Sequence, residues 1–196
     1  MQVYDVTYDV TALNEEIIIQ GATRAKVIGT SEVKLDPRVR LKCQVPRCNS
    51  YGHNLQCPPH CLTVGEFREY LSCYQRAILI QQEGILPVDK HPDQKDKHLD
   101  PEAVFGPANK LHSLVNWAES RAFALGYRFA TGFIGGCCKL CPECVGPGQK
   151  CCHPFQARPS MEAVGVDVVA TSRKVGMPIV FPATEKVVWC GLLLLD

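Results

Sequence analysis

PANKLHSLVNWAESRAFALGYRFATGFIGGCCKLCPEC, residues 107–144, decides the reading of this chain, because a helical period, a strand period and a cysteine loop follow one another without a break. Leu111, Leu114, Val115, Ala118, Ala122 and Leu125 recur at helical spacing. Pro107 suits a first helical turn, and Gly126 stops the pattern. Tyr127, Phe129, Thr131 and Phe133 then alternate as one face of a strand does. Gly135-Gly136 lets the backbone turn sharply into the cysteines.

Towards the C-terminus, Ser160 is placed to cap a helix whose Met161, Val164, Val168 and Val175 share a face, ended by Gly176 and Pro178. Ile179–Phe181 and Val187–Leu195 read as strands. Towards the N-terminus, Thr63 and Glu66 form a capping box, predicting a helix from Val64 to about Cys73, and Ala77–Ile80 reads as a compact strand. The stretch from Gly84 to Pro101 is polar and lacks an apolar period, as a solvated loop does. Strand-like alternation also appears at Val3–Val10, Ile17–Ile19, Ala25–Ile28 and Val33–Leu35. Together these elements predict an α/β fold, a mixed sheet with helices packed on it, carrying cysteine-rich metal-binding loops at about 43–61 and 135–154. A single metal-binding domain spanning 1–196 is expected from the length.

The 196 residues are 46% apolar and 21% charged, which suits a chain that folds on a buried core. A net charge of +1 offers no footprint for a phosphate backbone or an anionic membrane, so neither nucleic acid nor membrane is an expected partner. The longest apolar run, Val187–Leu195, is far short of the roughly 20 residues of a membrane helix. Met1–Val10 has neither the basic nor the apolar region of a signal peptide, so a cytoplasmic location is expected. There the twelve cysteines stay reduced, and those in close spacing read as metal ligands rather than disulfide partners.

Cys138, Cys141 and Cys144 are spaced C-x2-C-x2-C, which lets one loop wrap three thiolates around three corners of a cubane cluster. The match to the ferredoxin pattern, which ends with a further Cys before Pro, is partial: Cys151 or Cys152 lies further on than that spacing, and His153 intervenes before Pro154. The first group, Cys43, Cys48 and Cys57 with Cys61, is broken by Pro and Gly and forms a loop that converges several thiols. If Cys61 binds, that site is closed; if not, one iron keeps an open position for a small-molecule ligand. The expected cofactors are two [4Fe-4S] iron–sulfur clusters, with structural zinc as the alternative. Cys73 and Cys190 read as small buried hydrophobes, and one member of each doublet, Cys137-Cys138 and Cys151-Cys152, reads as a bystander. His53, His60 and His153 read as hydrogen-bonding neighbours of a cluster, and Lys42, Arg47, Lys139 and Lys150 as cations offsetting its charge. Arg158, Ser160, Glu162 and Asp167 are either substrate-recognising groups or helix caps.

Val39-Arg40-Leu41-Lys42-Cys43, Cys48 followed by Tyr51-Gly52, Cys57-Pro58-Pro59, the C-x2-C-x2-C run, His153-Pro154, Arg158–Ala163, Gly165-Val166-Asp167 and the Leu-rich end resemble an uncharacterised prokaryotic family of cysteine-rich predicted metal-binding proteins. The resemblance spans nearly the whole chain. It implies ligands at Cys43, Cys48 and Cys57 and at Cys138, Cys141, Cys144 and Cys151, and it does not regularly include Cys61, Cys73, Cys137, Cys152 or Cys190. The expected function is electron transfer or cluster-based redox chemistry with a redox partner protein. The alternatives are a non-redox enzyme using a three-cysteine cluster as a Lewis acid or for sulfur chemistry, and a zinc-binding assembly protein.

Overall fold

The apolar run near the C-terminus becomes β4 (Lys186–Leu195), which pairs antiparallel with β2 (Arg76–Ile85) along its whole length, from Arg76 opposite Leu195 to Ile85 opposite Lys186. β1 (Arg24–Gly29) and β3 (Thr131–Phe133) complete one antiparallel sheet in the order β1-β2-β4-β3. The computed structural model describes residues 9–86 and 101–196. Five helices accompany the sheet in these residues: α1 (Val10–Ile19), α2 (Pro37–Leu41), α3 (Val64–Leu71), α4 (Pro101–Ala124) and α5 (Val168–Lys174). The fold is mixed α/β, as the sequence predicts.

The strands alternate between two cores. Ile78, Ile80, Leu193 and Leu195 meet Leu13 and Ile17 of α1 and Leu111, Val115, Ala118 and Ala122 of α4. Ala77, Leu79, Leu192 and Leu194 meet Phe67 and Leu71 of α3 together with Met161, Val164 and Val175. Because both faces of the central strands are covered, Ala77–Ile80 and Leu192–Leu195 are apolar at every position rather than every second one. Phe67 and Phe133 meet edge to face at 5.0 Å between ring centroids, tying α3 to β3.

Several local expectations change. Ile17–Ile19 belongs to α1: Val10, Leu13 and Ile17 bury one helical face, and Asp9 accepts from the Thr11 amide as cap. The β-branched Ile run suggested a strand, and tertiary burial of the helical face overrides that local preference. Of Val3–Val10, residues 3–8 lie outside the described residues, as do 87–100 of the expected loop. Gly84 and Ile85 are strand, opposite Val187 and Lys186. Val33–Leu35 contributes only one bridge, Leu35 to Val166. α4 starts at Pro101, so Pro107 lies inside it and forfeits the bond to the Ala103 carbonyl. β3 is shorter than Tyr127–Phe133, and Ile179–Phe181 is irregular.

The helix expected after Ser160 is divided. Ser160 Oγ accepts from Ala163 N at 3.0 Å and caps a short 3-10 turn over Glu162–Val164. Gly165 then reverses the chain at φ +88, where an added Cβ would sit 2.6 Å from Val64 Cγ2. Asp167 accepts from Ala170 N at 2.9 Å and starts α5 afresh. The capping box on α3 forms as expected, with Thr63 and Glu66 exchanging bonds.

Phe67→Ala removes the ring that joins two elements of the core, and the expected cost is about 3–5 kcal/mol in urea unfolding. Phe123→Ala, at a side chain 67% exposed on α4, is expected to cost under about 0.5 kcal/mol. Equal losses would show that α3 is not docked on β3 as described.

Candidate metal centre

The first cysteine loop begins where α2 ends. Asp36 caps α2 by accepting from Arg38 N at 2.8 Å, and the chain then turns through Cys43–Cys61 in a series of tight backbone bonds. These include Cys48 N to Cys43 O at 3.0 Å, Gly52 N to Pro58 O at 2.8 Å and Cys57 N to Asn54 O at 3.0 Å. They draw Cys43, Cys48, Cys57 and Cys61 together. Burial pushes the Cys57 thiol far above its ordinary range, and the thiols of Cys137, Cys61, Cys43 and Cys48 add to the shift in that order. Cys43 is raised by burial and then by Cys48, with Arg40 opposing. Cys137, one of the doublet in which the sequence leaves one member a bystander, acts electrostatically on Cys57 of this set and on its neighbour Cys138.

The second set surrounds a pocket lined by Cys138, Cys141, Cys144, Cys151 and Cys152, with Asn54, Leu55 and His153 in its wall. Burial raises Cys138, opposed by the Leu140 amide, with Cys151, Cys144 and Cys137 adding to the shift. Cys141 is raised by desolvation and then by Cys152. Two backbone amides point at sulfur: Leu55 N to Cys144 Sγ at 3.5 Å and His153 N to Cys151 Sγ at 3.4 Å. Among the described residues, no three His, Cys, Asp or Glu side chains close tightly enough on one point to hold a single ion. The thiols ring their loops instead.

The two loops are docked on each other. Buried Asn54 donates to the Cys138 carbonyl at 2.9 Å while its Oδ1 accepts from Gln56 N at 2.9 Å. The tip of the first loop thus forms a wall of the second pocket. From behind, the chain after the second loop is fixed to α4, because the Gln156 carbonyl accepts from Asn116 Nδ2 at 3.0 Å and lies 2.8 Å from His112 Nε2. Gly135-Gly136 lies flat on β4: a Cβ on Gly136 would be 2.8 Å from the Trp189 ring, and one on Gly135 would be 2.9 Å from the Cys190 carbonyl.

The polar residues sort clearly. Arg158 pairs with Glu119 on α4, Nε to Oε2 at 2.9 Å, and Glu119 also accepts from Gly132 N. Arg158, Ser160 and Asp167 therefore shape the fold. Arg47 lies over the Tyr51 ring and Lys139 over the Phe105 ring. Lys42 and Lys150 are exposed. The cation that reaches sulfur is Arg40, which bonds Cys61 Sγ at 3.8 Å, the Leu62 carbonyl and the Ala163 carbonyl. It sits three residues before Cys43, and only the fold turns it back onto Cys61. His153 lines the second pocket, His53 lies 3.8 Å from Glu143, and His60 is exposed. Cys190 is buried as expected, beside Ser172, with its thiol pushed up to about 11 by burial. Cys73 is exposed, contrary to expectation, because the last turn of α3 leaves it outside the Phe67–Leu71 face.

The chain belongs to the family described as predicted metal-binding protein (DUF2284), whose pattern matches residues 26–195. That span includes both cysteine loops and all four strands but β1's first residues. No curated protein and no solved structure matches it significantly. Among the described residues no helix is long and apolar enough to cross a membrane.

Cys43, Cys57, Cys61, Cys138 and Cys141 all hold their protons above the ordinary thiol range, so metal must displace protons to bind there. Protonation competes with metal more strongly as pH falls. Metal bound per chain, measured by elemental analysis after dialysis under anaerobic conditions, is therefore expected to be lower at pH 6 than at pH 8. Equal or greater retention at pH 6 would contradict thiolate ligation.

Proposed function

We propose that this protein is an iron–sulfur electron carrier whose two cysteine sets hold neighbouring [4Fe-4S] clusters. Cys138, Cys141, Cys144 and Cys151 would hold one, and Cys43, Cys48, Cys57 and Cys137 the other. One doublet supports this reading: Cys138 lines the second pocket, whereas Cys137 acts on the buried Cys57 thiol more strongly than any other cysteine does. Adjacent residues in different sets would link the two redox centres through a single peptide unit.

When bound, such clusters supply one-electron transfer. The chain's own part is to seat them and balance their charge. The Leu55 and His153 amides favour sulfur in its ionised form, as hydrogen bonds to an anion do. Arg40 brings a positive charge to the rim of the first set. Cys61 Sγ lies 3.8 Å from the Ala163 carbonyl, to which only its thiol can donate, and 3.8 Å from Arg40 Nη1, which favours its thiolate; we give the fourth place to Cys137 rather than to Cys61. Cys137 in its place gives each cluster four thiolates and leaves no open iron. Exposed Cys48 marks the edge through which a redox partner protein would exchange electrons with the first set.

Protein purified without oxygen is expected to be brown and to carry iron and acid-labile sulfide in equal amounts, about eight of each per chain. Cys61→Ser is expected to keep all of the iron. Cys137→Ser and Cys141→Ala are each expected to lose about half. Colourless protein with stoichiometric zinc would overturn the proposal, and loss of half the iron in Cys61→Ser but not in Cys137→Ser would exchange those two ligands.

A further inference from the structure

The charge of the chain is unevenly placed. Residues 37–61 and 135–158, the two cysteine loops with their flanks, carry seven Lys and Arg and one acidic residue, Glu143, although the whole chain has 21 Lys and Arg and 20 Asp and Glu. Three of the seven are engaged. Arg38 is held by Asp36 at 2.6 Å, Arg158 by Glu119, and Arg40 is turned inward onto Cys61 and two carbonyls. Lys42, Arg47, Lys139 and Lys150 are left, all of them exposed. Among the described residues none of these four pairs with a carboxylate or hydrogen bonds to a sulfur, so they do not serve the thiols as Arg40 does.

Three of the four border the seam where the loops dock. Arg47 lies over the Tyr51 ring, with Nη2 3.4 Å from the point where Gly52 would carry a Cβ. The next residue, His53, meets the second loop: its Nε2 is 3.8 Å from Glu143, and its carbonyl is 3.7 Å from the Cβ position of Gly146. The turn that starts at Gly146, closed by Gln149 N on the Gly146 carbonyl, leads directly into Lys150. Lys139 follows Cys138, whose carbonyl holds Asn54, and stands over the Phe105 ring. Apolar side chains join this surface. Val145, which lines the second pocket, is 42% exposed, and Phe155, between the pocket residues His153 and Ala157, is 90% exposed. An aromatic side chain standing in water within a polar, cationic rim is how the anchor of a protein interface looks before its partner arrives.

We propose that this seam is the docking face for a small acidic electron-transfer protein, with the partner's carboxylates on Arg47, Lys139 and Lys150 and its apolar surface on Val145 and Phe155. The inference rests on the electron-carrier reading and adds the partner's chemistry to it. Arg47 is next to exposed Cys48, and Lys150 is next to Cys151, so a partner held by these cations is brought to both cysteine sets. Attraction between opposite charges speeds encounter and fixes orientation, and salt weakens it. Transient redox complexes bury little surface, so a few cations around an aromatic anchor are enough to place the partner. A nucleic acid fits this face less well, because these cations fall short of the roughly six to ten phosphates that nucleic-acid-binding proteins neutralise.

Biolayer interferometry on the anaerobically purified full chain tests it, with an acidic plant-type [2Fe-2S] ferredoxin as probe and basic cytochrome c and a single-stranded RNA oligonucleotide as controls. Iron and zinc are measured on the same samples. The ferredoxin is expected to bind at least tenfold more tightly than either control at about 20 mM NaCl, and to lose at least tenfold in affinity at about 300 mM. Lys139→Glu with Lys150→Glu is expected to weaken it at least tenfold at low salt. Because charge reversal beside the cysteines can disturb the loops, Phe155→Ala provides a second arm and is expected to weaken binding at both salt concentrations. Arg68→Glu, an exposed cation on α3 away from the seam, is expected to change nothing. No ferredoxin binding at low salt, equal binding of either control, unchanged binding in Phe155→Ala, or an equal loss in Arg68→Glu would each overturn the proposal. Colourless zinc protein would overturn the electron-carrier reading and this inference with it, whereas iron-loaded protein that fails to bind ferredoxin would overturn this inference alone.

Discussion

The Asn54 side chain is the contact on which the cysteine architecture depends. It donates to the carbonyl of Cys138 and accepts from the amide of Gln56, joining two loops more than eighty residues apart in sequence. A loop of fifteen to twenty residues without regular structure carries a large ordering cost. Each loop meets that cost partly through its own backbone turns and partly by becoming a wall of the other. With Asn54 in place, Leu55 directs its amide at Cys144. Without it, the tip of the first loop has no buried polar anchor on the second.

The sheet serves this arrangement by supplying a flat, rigid floor. β4 is covered on both faces, and Trp189 and Cys190 lie opposite Gln82 and Gln81 of β2, which fixes them in place before the cysteine loops are considered. Gly135-Gly136 can pass only because neither residue carries a Cβ where the Trp189 ring and the Cys190 carbonyl lie. From that passage Cys137 and Cys138 emerge as neighbours, Cys138 lining the second pocket and Cys137 acting on Cys57.

Much of the fold was legible because its signals are local. Leu111 to Ala122 repeats with the period of α4, Thr63 and Glu66 announce the start of α3, and Val187–Leu195 can only be a buried strand. The C-x2-C-x2-C run identified the loop that lines the second pocket. What was not legible depends on tertiary placement. Ile17–Ile19 has strand composition, but it is helix because Val10, Leu13 and Ile17 bury one helical face while Ile18 and Ile19 stay exposed. Nothing in the spacing separates Cys137, which acts on Cys57, from Cys138, which lines the second pocket. Arg40 matters because α2 and the 3-10 turn at Glu162–Val164 pack against each other, and no local pattern reports that contact.

The central claim is that two metal centres lie side by side because adjacent residues, Cys137 and Cys138, belong to different sets. Electron paramagnetic resonance of the anaerobically purified, dithionite-reduced protein tests it most directly. Two paramagnetic clusters this close must couple magnetically. The account predicts a broadened, complex spectrum at full reduction that resolves to a simple rhombic signal when only one cluster is reduced. Two independent, uncoupled signals at full reduction, or a spectrum with no iron signal at all, would contradict it.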